Sequence, residues 1–235
     1  MVVIALLVGA MIYLSADRTL PCFARGEFHL EPGQHAPFCG ITKIHYAFPP
    51  SVIDAVMYIA SNPAMGKRIS VPGIKASRAI TAHDVRTHVP ELLSEYNTLA
   101  QEVSRIVGTT VKTVPLSEPL SVCIIIYEQI GDHITWHYDD NPFKGRFFTL
   151  LAPITHTQTC THFEFKDHRN TPVPVLLSNK EGLLFEGNKI YHRASRLCAN
   201  EKRIMASFQF ATNTETTVNI MNTIAKHIKT RSFTG

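Results

Sequence analysis

Between about Val111 and Ala211 the chain is a succession of short apolar runs: VCIIIYEQ, RFFTLLAPI, THFEFKD, VPVLLS, GLLFEG and RIMASFQF. Each is brief for a helix and rich in β-branched or aromatic residues, and turns containing Gly, Pro and Asn separate them. Such runs read as strands. Many short strands joined by turns restrict the chain to a sandwich or a barrel. With 45% hydrophobic and 18% charged residues the composition is that of a folded protein. A chain of 235 residues suffices for one sizeable domain, or for one domain with short extensions.

Helices flank this region. Ser51 to Ser61 reads as a helix with Ser51 as its N-cap. From Thr87 to Val107, Val89, Leu92, Leu93, Tyr96, Leu99, Val103, Ile106 and Val107 recur at steps of three and four. Pro90 is tolerated in a first turn, and Gly108 ends the helix. That stripe predicts packing on the outside of a sheet. A last helix is expected over Val218 to Lys229, with Lys226, Lys229 and Arg231 complementing its dipole. Residues 21–50, rich in Pro, Gly, His and Phe, read as irregular. The stretch 63–80, with Lys67, Arg68, Lys75 and Arg78 among Gly and Pro, reads as a solvated surface loop or as a loop near a site mouth.

The chemistry concentrates in YEQIGDHITWHYDDNPFKGR, Tyr127 to Arg146. His137 and Asp139 are two residues apart, so on an extended chain they point to the same side. A second imidazole, His192, follows fifty-five positions on, after the strand-like run at 182–185. Two His and a carboxylate on one face of an octahedral ion leave three positions open, the arrangement of non-haem Fe(II) oxygenases. Asp132 and Asp140 are the alternative carboxylates, at spacings that suit an extended ligand pair less well. His133, His156, His162 and His168 read as surface or strand-edge residues. Eleven positions past His192, Arg203 opens the last strand. Its fork suits a two-point grip on a carboxylate. Alternation puts Arg203, Met205, Ser207 and Gln209 on one face, and Ile204, Ala206, Phe208 and Phe210 on the other. Lys202, one residue earlier, is the rival anchor.

With these residues the chain resembles the Fe(II)/2-oxoglutarate-dependent dioxygenases, over roughly Leu120 to Thr212. It is most similar to the prolyl hydroxylase branch, through Tyr127 ten positions before His137 and through Gly145-Arg146 and Thr149 after Asp139. The segment from Cys160 to Asp167 departs from the glycine-bearing strand that the family often has there. The stretch Ile134 to Asp140 is also similar to nucleic-acid demethylases of the AlkB type. Their closing Arg-x-Asn-x-Thr-x-Arg is represented here only by Arg203 and by Ser207 in place of Thr.

The resemblance implies a mainly β fold with flanking helices, a double-stranded β-helix (jelly-roll) core buttressed by α-helices. It implies Fe(II) on His137, Asp139 and His192, and 2-oxoglutarate held by Arg203 with help from Tyr127 and Thr149. O2 would be the other cosubstrate and ascorbate an accessory reductant. The expected reaction is hydroxylation of a protein or peptide, at prolyl residues, with release of succinate and CO2. Oxidative demethylation of nucleic acid, hydroxylation of a small molecule and a non-catalytic β-barrel binding module are the alternatives. A net charge of +4 allows an acidic partner without demanding nucleic acid.

The expected organisation is an apolar N-terminal segment over 1–20, an irregular and helical part over 21–110, and the dioxygenase core with its last helix over 111–235. Val2 to Ala16 carries no charge but is short against the roughly 20 residues that span a bilayer. A signal-anchor, a secretory signal and a buried element compete for it. Its abrupt end at Asp17-Arg18 and Pro21 favours membrane targeting and a secretory location over a cytoplasmic one. Of five cysteines, Cys22 and Cys39 could pair in an oxidising lumen, or all could be buried thiols. With no C-x-x-C pair, a structural zinc site is not expected.

Overall fold

A computed structural model describes residues 38, 40–157, 160–167 and 169–217. The apolar N-terminal run, Cys22, Cys39, His168 and the last expected helix lie outside the described residues. The elements run β1 (Ile41–His45), α1 (Pro50–Ser61), β2 (Lys67–Val71), β3 (Lys75–Ile80), α2 (Ala82–His88), α3 (Pro90–Val107), β4 (Lys112–Thr113), β5 (Val122–Tyr127), β6 (His133–His137), β7 (Phe147–Thr157), β8 (Phe163–Lys166), β9 (Pro172–Val175), β10 (Glu181–Phe185), β11 (His192–Ala194) and β12 (Lys202–Ala211).

From β5 onward the chain passes back and forth between two antiparallel layers, except that β8 and β9 are neighbours in the same one. One has the order β1-β10-β7-β12-β5 and the other β6-β11-β8-β9. β3 joins them, pairing through Arg78–Ile80 with β5 and through Lys75–Ala76 with β6. This is a double-stranded β-helix, as the resemblance implies. The helices cover one layer only. Val52 and Val56 of α1 and Leu92, Tyr96, Leu99 and Val103 of α3 pack on Ile124, Ile126, Phe148, Leu150, Ile204, Ala206, Phe208 and Phe210. Each buried Val, Leu, Ile or Phe among them contributes about 1.5–3 kcal/mol. The opposite face of the same strands looks into the barrel, where Met205 joins Phe163, Phe165 and Phe185. The last strand therefore divides as its alternation demands, with Arg203 on the inward side.

Several local expectations change. α1 begins at Pro50, with Pro49 rather than Ser51 at its cap, because proline's fixed φ suits a first helical turn. The long helix starts at Pro90, not Thr87. Val89 leaves the helical region (φ −140°, ψ 62°), as a residue preceding proline tends to, and separates α2 from α3. The stretch 63–80 is a hairpin, not a loop. Val71 accepts from Ile74 N–H (3.0 Å) across Pro72-Gly73, with Gly73 at φ 72°, the residues a type II turn requires. Two of its basic residues are structural. Arg78 is 4% exposed, paired with Glu128 (2.8 and 2.9 Å) and donating to the carbonyls of Ala60, Asn62 and Met65. Arg68 holds Asp132. A disulfide joins Cys160 to Cys198, a pairing not anticipated above, and Cys123 is a buried free thiol. Among the described residues no helix is long and apolar enough to cross a membrane.

Candidate metal centre

His137 ends β6 and His192 begins β11, and the two face each other in register. The next pair in that ladder is Ala194 with Ile134, so β6 spends three residues where β11 spends two. Such a bulge resets the alternation. It lets Ile134 pack inward against Tyr127 and Ala194 while His137 also turns inward, its ring centroid 4.2 Å from that of His192. Trp136 and Tyr138 lie on the other side against Tyr191, at 5.6 and 4.9 Å between centroids.

The imidazole of His137 donates from Nδ1 to the carbonyl of its own strand at Thr135 (2.8 Å), and His192 donates from Nδ1 to Ile190 (2.8 Å). A carbonyl can only accept, so both rings carry a proton on Nδ1, and Nε2 is the nitrogen each can offer to a metal. Both Nε2 atoms face Asp139 Oδ1, at 3.6 Å from His137 and 3.7 Å from His192. Neighbouring ligands on an octahedral ion with bonds of about 2.1 Å stand about 3 Å apart, so a modest contraction of this cluster would seat one.

The protonation states suit a cation. Burial alone would raise the Asp139 carboxyl, but His192, His137 and the Thr149 hydroxyl together hold it below the usual carboxylate range. Burial, aided by His137, pushes His192 down to about 4. One charged carboxylate and a neutral imidazole result at neutral pH.

Asp139 is held from three directions. Thr149 Oγ1 on β7 donates to Oδ2 (2.9 Å), and Asp139 N–H donates to Gly187 O (2.9 Å). Gly187 presses so closely that a Cβ there would overlap the carboxylate. Glu186, 2% exposed, fixes that turn by pairing with Arg146 and with Lys189 (3.2 Å). Gly145-Arg146 and the FEG at the end of the GLLFEG run were visible in the sequence. Their meeting beneath Asp139 was not.

Arg203 lies on the inward face of β12 opposite Tyr127 of β5, its guanidinium carbon 5.3 Å from the ring centroid. It is 3% exposed, and its Nε and Nη1 have no hydrogen-bond partner among the described residues. Burial lowers its pKa, and burial pushes the Tyr127 phenol up to about 12 despite Arg203. A buried cation without an anion is costly, so these two unpaired groups fit a carboxylate donated by a ligand. Lys202 lies on the opposite face and is partly exposed.

The remaining candidates lie elsewhere. Asp132 accepts from Arg68 Nη1 (3.2 Å) and from the N–H groups of Glu128 (3.0 Å) and Gln129 (3.1 Å), closing the β5–β6 turn. Asp140 is outside the His137, Asp139 and His192 cluster. His133, expected at a surface or edge, is instead buried and bonded to Gly131 O (2.8 Å). His162 pairs with Glu164 (3.0 Å).

No family model matches the chain, and no curated protein matches it in sequence. Solved structures do match. The non-haem α-ketoglutarate-dependent epimerase SnoN from nogalamycin biosynthesis aligns with a TM-score of 0.61 at 10% identity, over 77% of this chain and 81% of that one. HygX from Streptomyces hygroscopicus, with nickel and 2-oxoglutarate bound, aligns at 0.56 and 11%, over 75% and 84%. A Pseudomonas putida prolyl-4-hydroxylase aligns at 0.52 and 10%, over 73% and 91%. The chain therefore shares the double-stranded β-helix fold of these solved structures.

Proposed function

We propose that this protein is an Fe(II)- and 2-oxoglutarate-dependent oxygenase. The observation that carries the reading is the clustering of His137, Asp139 and His192, the first two half-buried and the last buried, in the same barrel as a buried Arg203 whose Nε and Nη1 have no partner among the described residues. In this reading His137 Nε2, His192 Nε2 and an Asp139 oxygen hold the metal, and Arg203 takes the distal carboxylate of 2-oxoglutarate. Iron held there supplies oxygen activation coupled to decarboxylation of the 2-oxo acid, giving succinate and CO2. The chain's own contribution is orientation. Thr149 and Gly187 fix the Asp139 carboxylate, and the two backbone carbonyls fix the imidazoles. Tyr127 supports Arg203, and the apolar interior excludes water.

The preferred substrate is a protein or peptide hydroxylated at prolyl residues. The Tyr127, Gly145-Arg146 and Thr149 matches support this, as does likeness to a structure named as a prolyl-4-hydroxylase. Hydroxylation of a small molecule is the second reading, favoured by likeness to HygX, solved with hygromycin B bound, and to SnoN. Residues 2–16 would tether the enzyme in a secretory membrane. The Cys160–Cys198 bridge supports an oxidising compartment, and fractionation of the full chain tests the tether.

The test of activity is succinate formation from 2-oxoglutarate and Fe(II), comparing wild type with His137→Ala and Arg203→Ala. Loss in His137→Ala, and recovery of Arg203→Ala at high 2-oxoglutarate, are the expected results. Proline-rich peptides and small metabolites are then compared as stimulators. Folded wild-type protein that binds no Fe(II) would overturn the reading and leave a β-barrel binding module.

A further inference from the structure

β3 precedes the β-helix proper, yet it is hydrogen-bonded to β5 and β6 and lends its inner face to the barrel. Its register with β5 sets Ala79 opposite Ile125 and Arg78 opposite Ile126. Ile125 in turn lies opposite Met205, which is inside the barrel. Ala79 is thus inward and Arg78 outward, where it meets the end of α1. One step further along the same register, Ser77 falls beside Tyr127, on the inward face. Its other neighbour, on β2, is Ile69. One row across three strands therefore reads Ser77, Tyr127, Arg203.

Ser77 is completely buried, and its Oγ has no hydrogen-bond partner among the described residues. A buried hydroxyl left unpaired costs roughly 1–3 kcal/mol, and an apolar residue of the same size would avoid the cost. The guanidinium of Arg203 extends from β12 over the Tyr127 ring of β5, the strand that separates β12 from β3. Its Nε and Nη1 have no hydrogen-bond partner among the described residues. Ser77 and Arg203 thus flank Tyr127 in one inward row, each with buried polar atoms left unpaired.

We propose that Ser77 is a cosubstrate-binding residue, donating from Oγ to the same distal carboxylate that Arg203 grips. This rests on the oxygenase reading above. The carboxylate would be held between β3 and β12 with Tyr127 beneath it. The β2–β3 hairpin would thereby be coupled to cosubstrate binding rather than being only a cover of the barrel.

The experiment is calorimetric titration of 2-oxoglutarate into Mn(II)-loaded wild-type protein and into Ser77→Ala, with Mn(II) affinity and unfolding temperature measured on both without the oxo acid. A hydrogen bond to a charged group predicts about tenfold weaker 2-oxoglutarate binding in Ser77→Ala. Mn(II) affinity should be unchanged, and the ligand-free variant should unfold no earlier than wild type. Equal 2-oxoglutarate affinity in the two proteins overturns the inference and leaves the oxygenase reading standing. An equal fall in Mn(II) affinity also overturns it, because Ser77 would then act on the fold. Wild-type protein that binds Mn(II) but no 2-oxoglutarate removes the oxygenase reading and this inference together.

Discussion

Replacing Gly187 with Ala tests the metal centre without touching a ligand. Gly187 is outside the left-handed region that favours glycine, so the alanine backbone is allowed and the whole effect comes from contact. The added Cβ would overlap Oδ2, Cγ and Cβ of Asp139. The turn cannot retreat freely, since Glu186 is tied to Arg146 and Lys189 and its N–H donates to Gly40 O (2.8 Å). Asp139 must therefore swing, breaking its 2.9 Å bond from Thr149 and leaving its place 3.6 and 3.7 Å from the two Nε2 atoms. Loss of a supporting contact alone typically weakens metal binding 10–100-fold. Here a ligand itself moves, and we expect about 100-fold or more. Overpacking adds roughly 1–3 kcal/mol of destabilisation. The assay is Mn(II) titration calorimetry beside thermal unfolding. Gly73→Ala is the control, because a Cβ there meets nothing within 4 Å and only its φ of 72° is strained. It should cost about 1 kcal/mol and leave metal affinity alone. Folded Gly187→Ala protein with wild-type Mn(II) affinity would refute the placement of Asp139.

Thr149→Val separates two roles for that hydroxyl. If its bond to Asp139 Oδ2 governs, Mn(II) affinity falls 10–100-fold, while a role only in cosubstrate binding would weaken 2-oxoglutarate and spare the metal. Asp132→Asn should cost about 2 kcal/mol at pH 7, since it removes a nearly buried carboxylate bonded to Arg68 and two backbone N–H groups. Burial opposes the ionised form, but Arg68 and those N–H groups outweigh it and hold the folded carboxyl below its ordinary value. Its stabilisation is therefore present above the unfolded pKa of about 3.9 and is lost as pH falls through the folded one. Denaturation curves of the two proteins should converge below about pH 4, and a constant gap from pH 7 to pH 3 would count against it. Reducing Cys160–Cys198, which are 38 positions apart, should lower stability by about 2–4 kcal/mol, read as a shift in urea midpoint with and without reductant.

Much of the architecture was legible because it depends on short-range periodicity. Alternation along the last strand separates Arg203 and Met205 from Ile204, Ala206, Phe208 and Phe210, and the fold buries the two sets in different cores. The stripe of α3 from Leu92 to Val103 meets the sheet as its spacing implies. His137, Asp139 and His192 could be proposed together because a two-residue step puts the first pair on one side of an extended chain and because strand-like runs precede both imidazoles. Local rules failed where distant backbone decided. The bulge in β6 exists only against β11, and it alone brings Ile134 and His137 to one face. The VPGI turn was in plain view, but the hairpin it makes acquires a role only when β3 bridges β5 and β6. The approach of Gly187 to Asp139, the Thr149 hydroxyl on that carboxylate, and the Cys160–Cys198 bridge each join residues 38 to 48 positions apart or on different layers. The sequence by itself determined which residue types could bind a metal and, along the unbulged last strand, which face each side chain takes, since both follow from side-chain chemistry and a two-residue repeat. Only the tertiary structure decided which buried polar atoms lack a partner among the described residues, as Arg203 Nε and Nη1 and Ser77 Oγ do, because a missing partner is a property of everything packed around a side chain.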